Sequence, residues 1–189
     1  RISRCSRVAA GNYNPVVFKR LVKSWKADDI IPFADDFYQE AQTSLKTKFF
    51  SKKQIVKIFS EEHERIFWEK KTQEAVGKYL SSEILGDFHA DSIQNAAGAG
   101  VVTDAGNLYV EKFIDEFRNF FIVNNSLLEE KFDFNRLKIS DAEVQYKNIS
   151  TKTIIFCEGW KAMENPLFNY LPFKPAKGEV LLVSIKNFF

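Results

Sequence analysis

Cysteine is scarce. Among 189 residues only Cys5 and Cys157 occur, too few for a disulfide framework or a cysteine metal cluster, and a reducing, cytoplasmic setting is expected. Long apolar runs are missing as well. None is longer than VLLV at 180–183, which is strand-sized and far short of the roughly 20 residues a membrane helix needs. No charge of one sign dominates: 27 basic and 25 acidic residues are mixed along the chain, for a net charge of +2. That balance argues against a dedicated nucleic-acid surface. The two histidines, His63 and His89, stand apart without a ladder of Cys, Asp or Glu at metal spacing, so no metal site is expected. The start, RISRCSRVAAG, is basic with no apolar stretch behind it, so a signal peptide is not expected. The chain opens without methionine and stops on a strand-like VLLVSIKNFF; it is expected to be an interior piece of a longer protein.

A pyrophosphate loop is also lacking. GAG at 98–100 offers two glycines, but position 103 is Thr and a strand, not a helix, follows. A phosphate loop needs glycines for backbone approach and a helix N-terminus for the dipole. No Walker lysine loop occurs either.

Bulky apolar residues are plentiful: 19 Phe, and 45% hydrophobic residues in all, ordinary for a globular chain with a real core. Asn14 followed by Pro15 reads as a helix cap, and Val17, Phe18, Leu21, Val22 and Trp25 at 3–4 spacing predict a helix over 14–25. A second helix is predicted from Asp28 and Asp29, with Pro32 in its first turn and a stripe of Phe33, Phe37, Tyr38, Ala41 and Leu45. KFF and QIVKIFS (48–60) read as two strands around a turn at 51–53, and 61–71 and 74–82 as weaker helices. Residues 83–97 lack pattern. GAGVVT predicts a short strand, after which Asp104 caps a helix over 105–123 with a stripe of Tyr109, Val110, Phe113, Phe117, Phe120 and Phe121. Short strands are expected at LLEEKF, RLKI, EVQY and TIIFC, a helical turn at 160–165, and a last strand at GEVLLVSI (178–185). Helices and strands mix without regular strand–helix–strand alternation, so the class is α+β with a partly antiparallel sheet.

Two stretches invite a functional reading. TIIFCEGW (153–160) is an apolar strand stopping on Gly159, where a backbone passes close to something; in open sheets, ligands sit beyond such strand ends. Cys157 within it has no identifiable His partner and is expected to be a small buried hydrophobe rather than a nucleophile. SRVAAGNYNP (6–15) runs through Ala9, Ala10 and Gly11 without side-chain bulk. It suits either close packing of a loop or a path beside a flat ligand.

Four segments in order resemble the flavin-dependent oxidoreductases of the D-amino-acid oxidase and glycine/sarcosine oxidase family: SRVAAGNYNPVVFKRLVKSW, DDIIPFADDFYQEAQ, GAGVVTDAGNLYVEKFIDEF, and KNISTKTIIFCEGWKAMENPLF with PAKGEVLLV. Together they span nearly the whole chain. The resemblance implies that Ser6, Ala9, Ala10 and Gly11 line a flavin. It implies that Lys131 and Phe132 end the strand whose backbone holds the adenine. Cys157, Glu158, Gly159 and Trp160 would then lie by the cofactor's diphosphate and ribityl region. Glu158 departs from the small residue usual there. RCSRVAAG carries no His, so the implied FAD is non-covalent. The dinucleotide fingerprint of the family would precede Arg1, and its substrate-anchoring Arg or Tyr would follow Phe189. The chain alone is therefore expected to be inactive and not to retain FAD, and no catalytic residue is assigned.

The implied fold is an α/β-like, partial FAD-binding half, 1–46 and 98–172, and part of an antiparallel-sheet substrate half, 47–97 and 173–189. The implied activity is oxidation of an amine or amino-acid C–N bond with hydride transfer to flavin. Two other readings stand beside it: the flavin domain of a tRNA-modifying aminomethyl-uridine oxidoreductase, and a non-catalytic binding or scaffolding domain of similar fold. Fold likeness does not fix a substrate.

Overall fold

The computed structural model describes residues 5–86, 88, 89, 93, 94, 97–179, 181, 183 and 184. It is a mixture of helix and antiparallel sheet divided into two compact units, one running to Leu127 and the other Leu128–Glu179. This is an α+β architecture. The division differs from the expected halves. Strand β4 (Phe50–Ile58), assigned to the substrate half, pairs along its length with β6 (Ala99–Leu108), assigned to the cofactor half.

The first unit is built around β6. On one side it pairs with β4; elsewhere it takes β1 (Asn12–Tyr13) and β5 (Leu80–Leu85), all antiparallel. The sequence of β6, AGVVTDAGNL, is rich in small residues because large neighbours press on it. A Cβ at Gly100 would lie 2.4 Å from the indole of Trp68. Trp68, on helix α2 (Glu62–Lys71), is completely buried and donates from its Nε1 to the Ser81 carbonyl at 3.0 Å. In GAG at 98–100, Gly100 is thus a seat for a tryptophan, and Gly98 lies against Ile84 and Leu85.

Several expectations are corrected here. Residues 14–25 form no helix but a hairpin, β2 (Val16–Val17) on β3 (Val22–Lys23). Asn14 uses its side chain in a turn, accepting from the Val16 N–H at 2.9 Å, and the Pro15 carbonyl accepts from Ser24. Local side-chain bonding of this kind competes with a helix, and β-branched valines favour the strand. The expected two strands at 48–60 are the single β4. Opposite it, Lys53 pairs with Ala105 and Ile55 with Val102, so β6 carries an extra residue, a bulge. Asp104 sits there with φ 51°, one of the residue types that tolerates the left-handed region. It is a bulge residue and not a helix cap, and helix α3 begins only at Val110, ending at Val123. Residues 74–82, expected helical, give one 3₁₀ turn, Gly77–Tyr79, and then β5.

Helix α1 (Ala27–Leu45) is present, and Pro32 lies within it. It buries Ala27, Ile31, Asp35 and Ala41, while Phe33 and Phe37 of the expected stripe are exposed at 72% and 44%. Its Gln42 Oε1 accepts from the backbone N–H groups of both Phe49 and Phe50 at 2.8 Å, anchoring the start of β4. Tyr38, Phe49, Phe50, Phe113 and Phe117 then pack as one aromatic group between α1, β4 and α3. The larger core joins Leu21, Ile31, Phe59, Trp68, Tyr79 and Val102.

The second unit holds a three-stranded antiparallel meander, β7 (Leu137–Ile139), β8 (Val144–Tyr146) and β9 (Ile149–Thr151). RLKI and EVQY are legible in it; LLEEKF and TIIFC are not strands, because neither finds a sheet partner among the described residues. Aromatic stacking holds these segments instead: Phe132 stacks on Tyr146 with ring centroids 4.4 Å apart, and Phe156 meets Phe132, Phe134 and Phe168. A six-residue 3₁₀ turn, Gly159–Glu164, follows. Of GEVLLVSI, Val180, Leu182 and Ile185 lie outside the described residues, and the others carry no strand.

Candidate functional site

The residues singled out by sequence are divided between the two units. In the first, Ser6 belongs to a short 3₁₀ turn, Cys5–Val8, and Ser6, Ala9 and Ala10 are exposed. This stretch is tied down at both ends. Arg7 pairs with Asp115 and, at 3.3 Å, with Glu111 on α3, and those carboxylates raise the guanidinium's pKa. Asn107 Nδ2 donates to the Ala10 carbonyl at 2.9 Å. Gly11 has φ 74°, and a Cβ there would stand 1.8 Å from the Leu108 carbonyl oxygen. Its glycine is explained by packing on the end of β6.

In the second unit Lys131 is exposed and Phe132 is half-buried in the aromatic stack. Cys157 is exposed, contrary to the expected buried hydrophobe. It lies within the extended segment 153–158, along which Ile154, Phe156 and Glu158 are half-buried while Ile155 and Cys157 face outward. The alternation is that of a strand, without a ladder. Glu158 Oε2 accepts from Asn165 Nδ2 at 2.6 Å. Asn165 is 1% exposed, and its Oδ1 accepts from the Leu167 N–H at 2.9 Å. Sequence reading passed over Asn165, yet it fixes the turn after Gly159 and occupies the Glu158 side chain. Gly159 has φ 58°, and no atom lies within 4 Å of where its Cβ would be. Its backbone is open on that side. Trp160 follows, 46% exposed.

A charged cleft that sequence reading missed lies in the first unit, an open space of about 280 Å³ beside α1, lined among others by Asp28, Asp35, Asp36, Asp104, Lys52 and Lys78. Asp35 is 6% exposed. The Tyr13 hydroxyl donates to its Oδ1 at 2.7 Å, and Lys52 Nζ stands 2.5 Å from Oδ2. Burial first, then this bond, pushes the Tyr13 phenol well above its ordinary pKa. The same carboxylate raises Lys52. Asp28 gathers Lys23 at 2.5 Å, Lys78 at 2.8 Å and the Tyr79 hydroxyl at 2.6 Å. The bond from Lys23, then those from Lys78 and Tyr79, hold its carboxyl far below the usual carboxylate range. Four aspartates against two lysines leave the lining net negative. The spacing of Asp28 and Asp35, seven residues apart on one helix, was the sequence signal for a shared face.

The chemistry open to this cleft is limited. The buried Asp35 and the exposed Asp28 already accept from Lys and Tyr donors, so neither is poised as a general base. Among the described residues no three His, Cys, Asp or Glu side chains are grouped to hold a metal ion. His63 is solvent-exposed, with Nδ1 3.1 Å from Glu61, and His89 stacks edge-on against Phe88. No helix of the described residues is long and apolar enough to cross a membrane. No family model matches the chain, and no solved structure matches its fold.

Proposed function

We propose that the chain is the middle part of an FAD-dependent oxidoreductase that oxidises an amine or amino-acid C–N bond. The observation that carries this reading is the open backbone at Gly159, at the end of an extended apolar segment and in the position that the resemblance gives to a strand end beside a flavin. The ordered succession of the four resembling segments supports it. The proposed cofactor half is α/β-like; the antiparallel pairing of β4 with β6 joins a segment of the proposed substrate half to one of the cofactor half.

The fit of individual residues to the cofactor is uneven. Gly159 leaves room for a ligand's close approach, and Ala9 and Ala10 are exposed without bulk. Gly11 and the Glu158 side chain are engaged elsewhere, by Leu108 and Asn165. A bound flavin would supply the hydride acceptor; in such enzymes the protein contributes binding and orientation. In this chain Gly159 would offer backbone contact, and the partly exposed Trp160 would stand beside the cofactor. The engagement of Gly11 and Glu158 in packing favours, as a second reading, a non-catalytic binding domain.

The test is a flavin titration of two proteins. The gene product including the residues upstream of Arg1 is expected to bind FAD and to lose its visible flavin absorbance anaerobically with an amine substrate, while the 189-residue chain alone is expected not to retain FAD. A longer product that binds no flavin after incubation with excess FAD overturns the oxidoreductase reading. Flavin co-purifying with the short chain overturns the expectation that this part cannot hold it.

A further inference from the structure

We draw no further inference here: the strongest candidate, the unladdered edge of residues 153–158 in the second unit with Ile155 and Cys157 exposed, is an unpartnered apolar face, and nothing in the structure shows what covers it.

Discussion

The two units reach order by different means. The first wraps helices and short strands around one long strand, and its interior contains Trp68, Phe49, Phe59, Leu21 and Val102 at 2% exposure or less. The second, among the described residues, buries only Val144, Tyr146 and Asn165, and it relies on half-buried rings stacked on one another. A unit of roughly 50 residues buries a smaller share of its surface and is correspondingly marginal. The contrast shows that aromatic contacts can gather segments that lack a hydrogen-bonded ladder. The second unit should therefore open first, with amide exchange in Val144–Tyr146 faster than in β6.

The comparison breaks most readily at Trp68. Replacing it by Ala is expected to cost about 3–5 kcal/mol, the usual loss for a buried aromatic, read as a shifted midpoint in denaturant. A smaller cost would mean that the sheet around Gly100 collapses into the space. In the second unit the corresponding weak point is polar. Asn165→Ala removes a buried side chain and strands Glu158, for an expected loss of about 1–3 kcal/mol. It is to be measured with a probe specific to the second unit, and a loss equal to that of Trp68→Ala would erase the difference between the units.

The charged cleft of the first unit adds a dependence on pH. Asp28 has a lowered pKa in the folded chain because of Lys23, Lys78 and Tyr79. A carboxylate depressed by folding stabilises above its unfolded pKa of about 4 and loses that contribution as pH falls toward the folded value. Wild type should be more stable than Asp28→Asn at neutral pH, and the gap should close below about pH 4. A gap independent of pH would assign the effect to packing. The smallest change is expected at Ile155, 80% exposed: Ile155→Thr should alter stability by no more than about 0.5 kcal/mol, checked by thermal unfolding.

The sequence made some of this legible. Residues 62–71, RLKI and EVQY could be read because their patterns were satisfied within a few residues of themselves. The hairpin at 14–25 could not, since its valines and leucine fit both a 3.6-residue and a strand arrangement, and the choice fell to Asn14's turn and the burial of Leu21 at φ 43°. The helix limit at Val110 was hidden because the apolar stripe runs back into a strand whose glycines answer distant rings. In the site residues, glycine alone could not say whether a neighbour is protein or ligand. At Gly11 the neighbour is the Leu108 carbonyl; at Gly159 no protein atom is near. The Asp28 and Asp35 networks draw partners from Tyr13, Lys52 and Lys78, groups far apart in sequence, and so left only the seven-residue spacing on α1 as a trace.

The ladderless run 153–158, with Ile155 and Cys157 turned outward, bears on solubility. Four β-prone residues, Thr153, Ile154, Ile155 and Phe156, stand without Pro or Gly, the composition that feeds strand-to-strand aggregation. Lys152 and Glu158 flank them with opposite charge, the placement by which charged residues make such stacking costly. Replacing Lys152 by an apolar residue is therefore expected to make the protein associate more readily in concentrated solution.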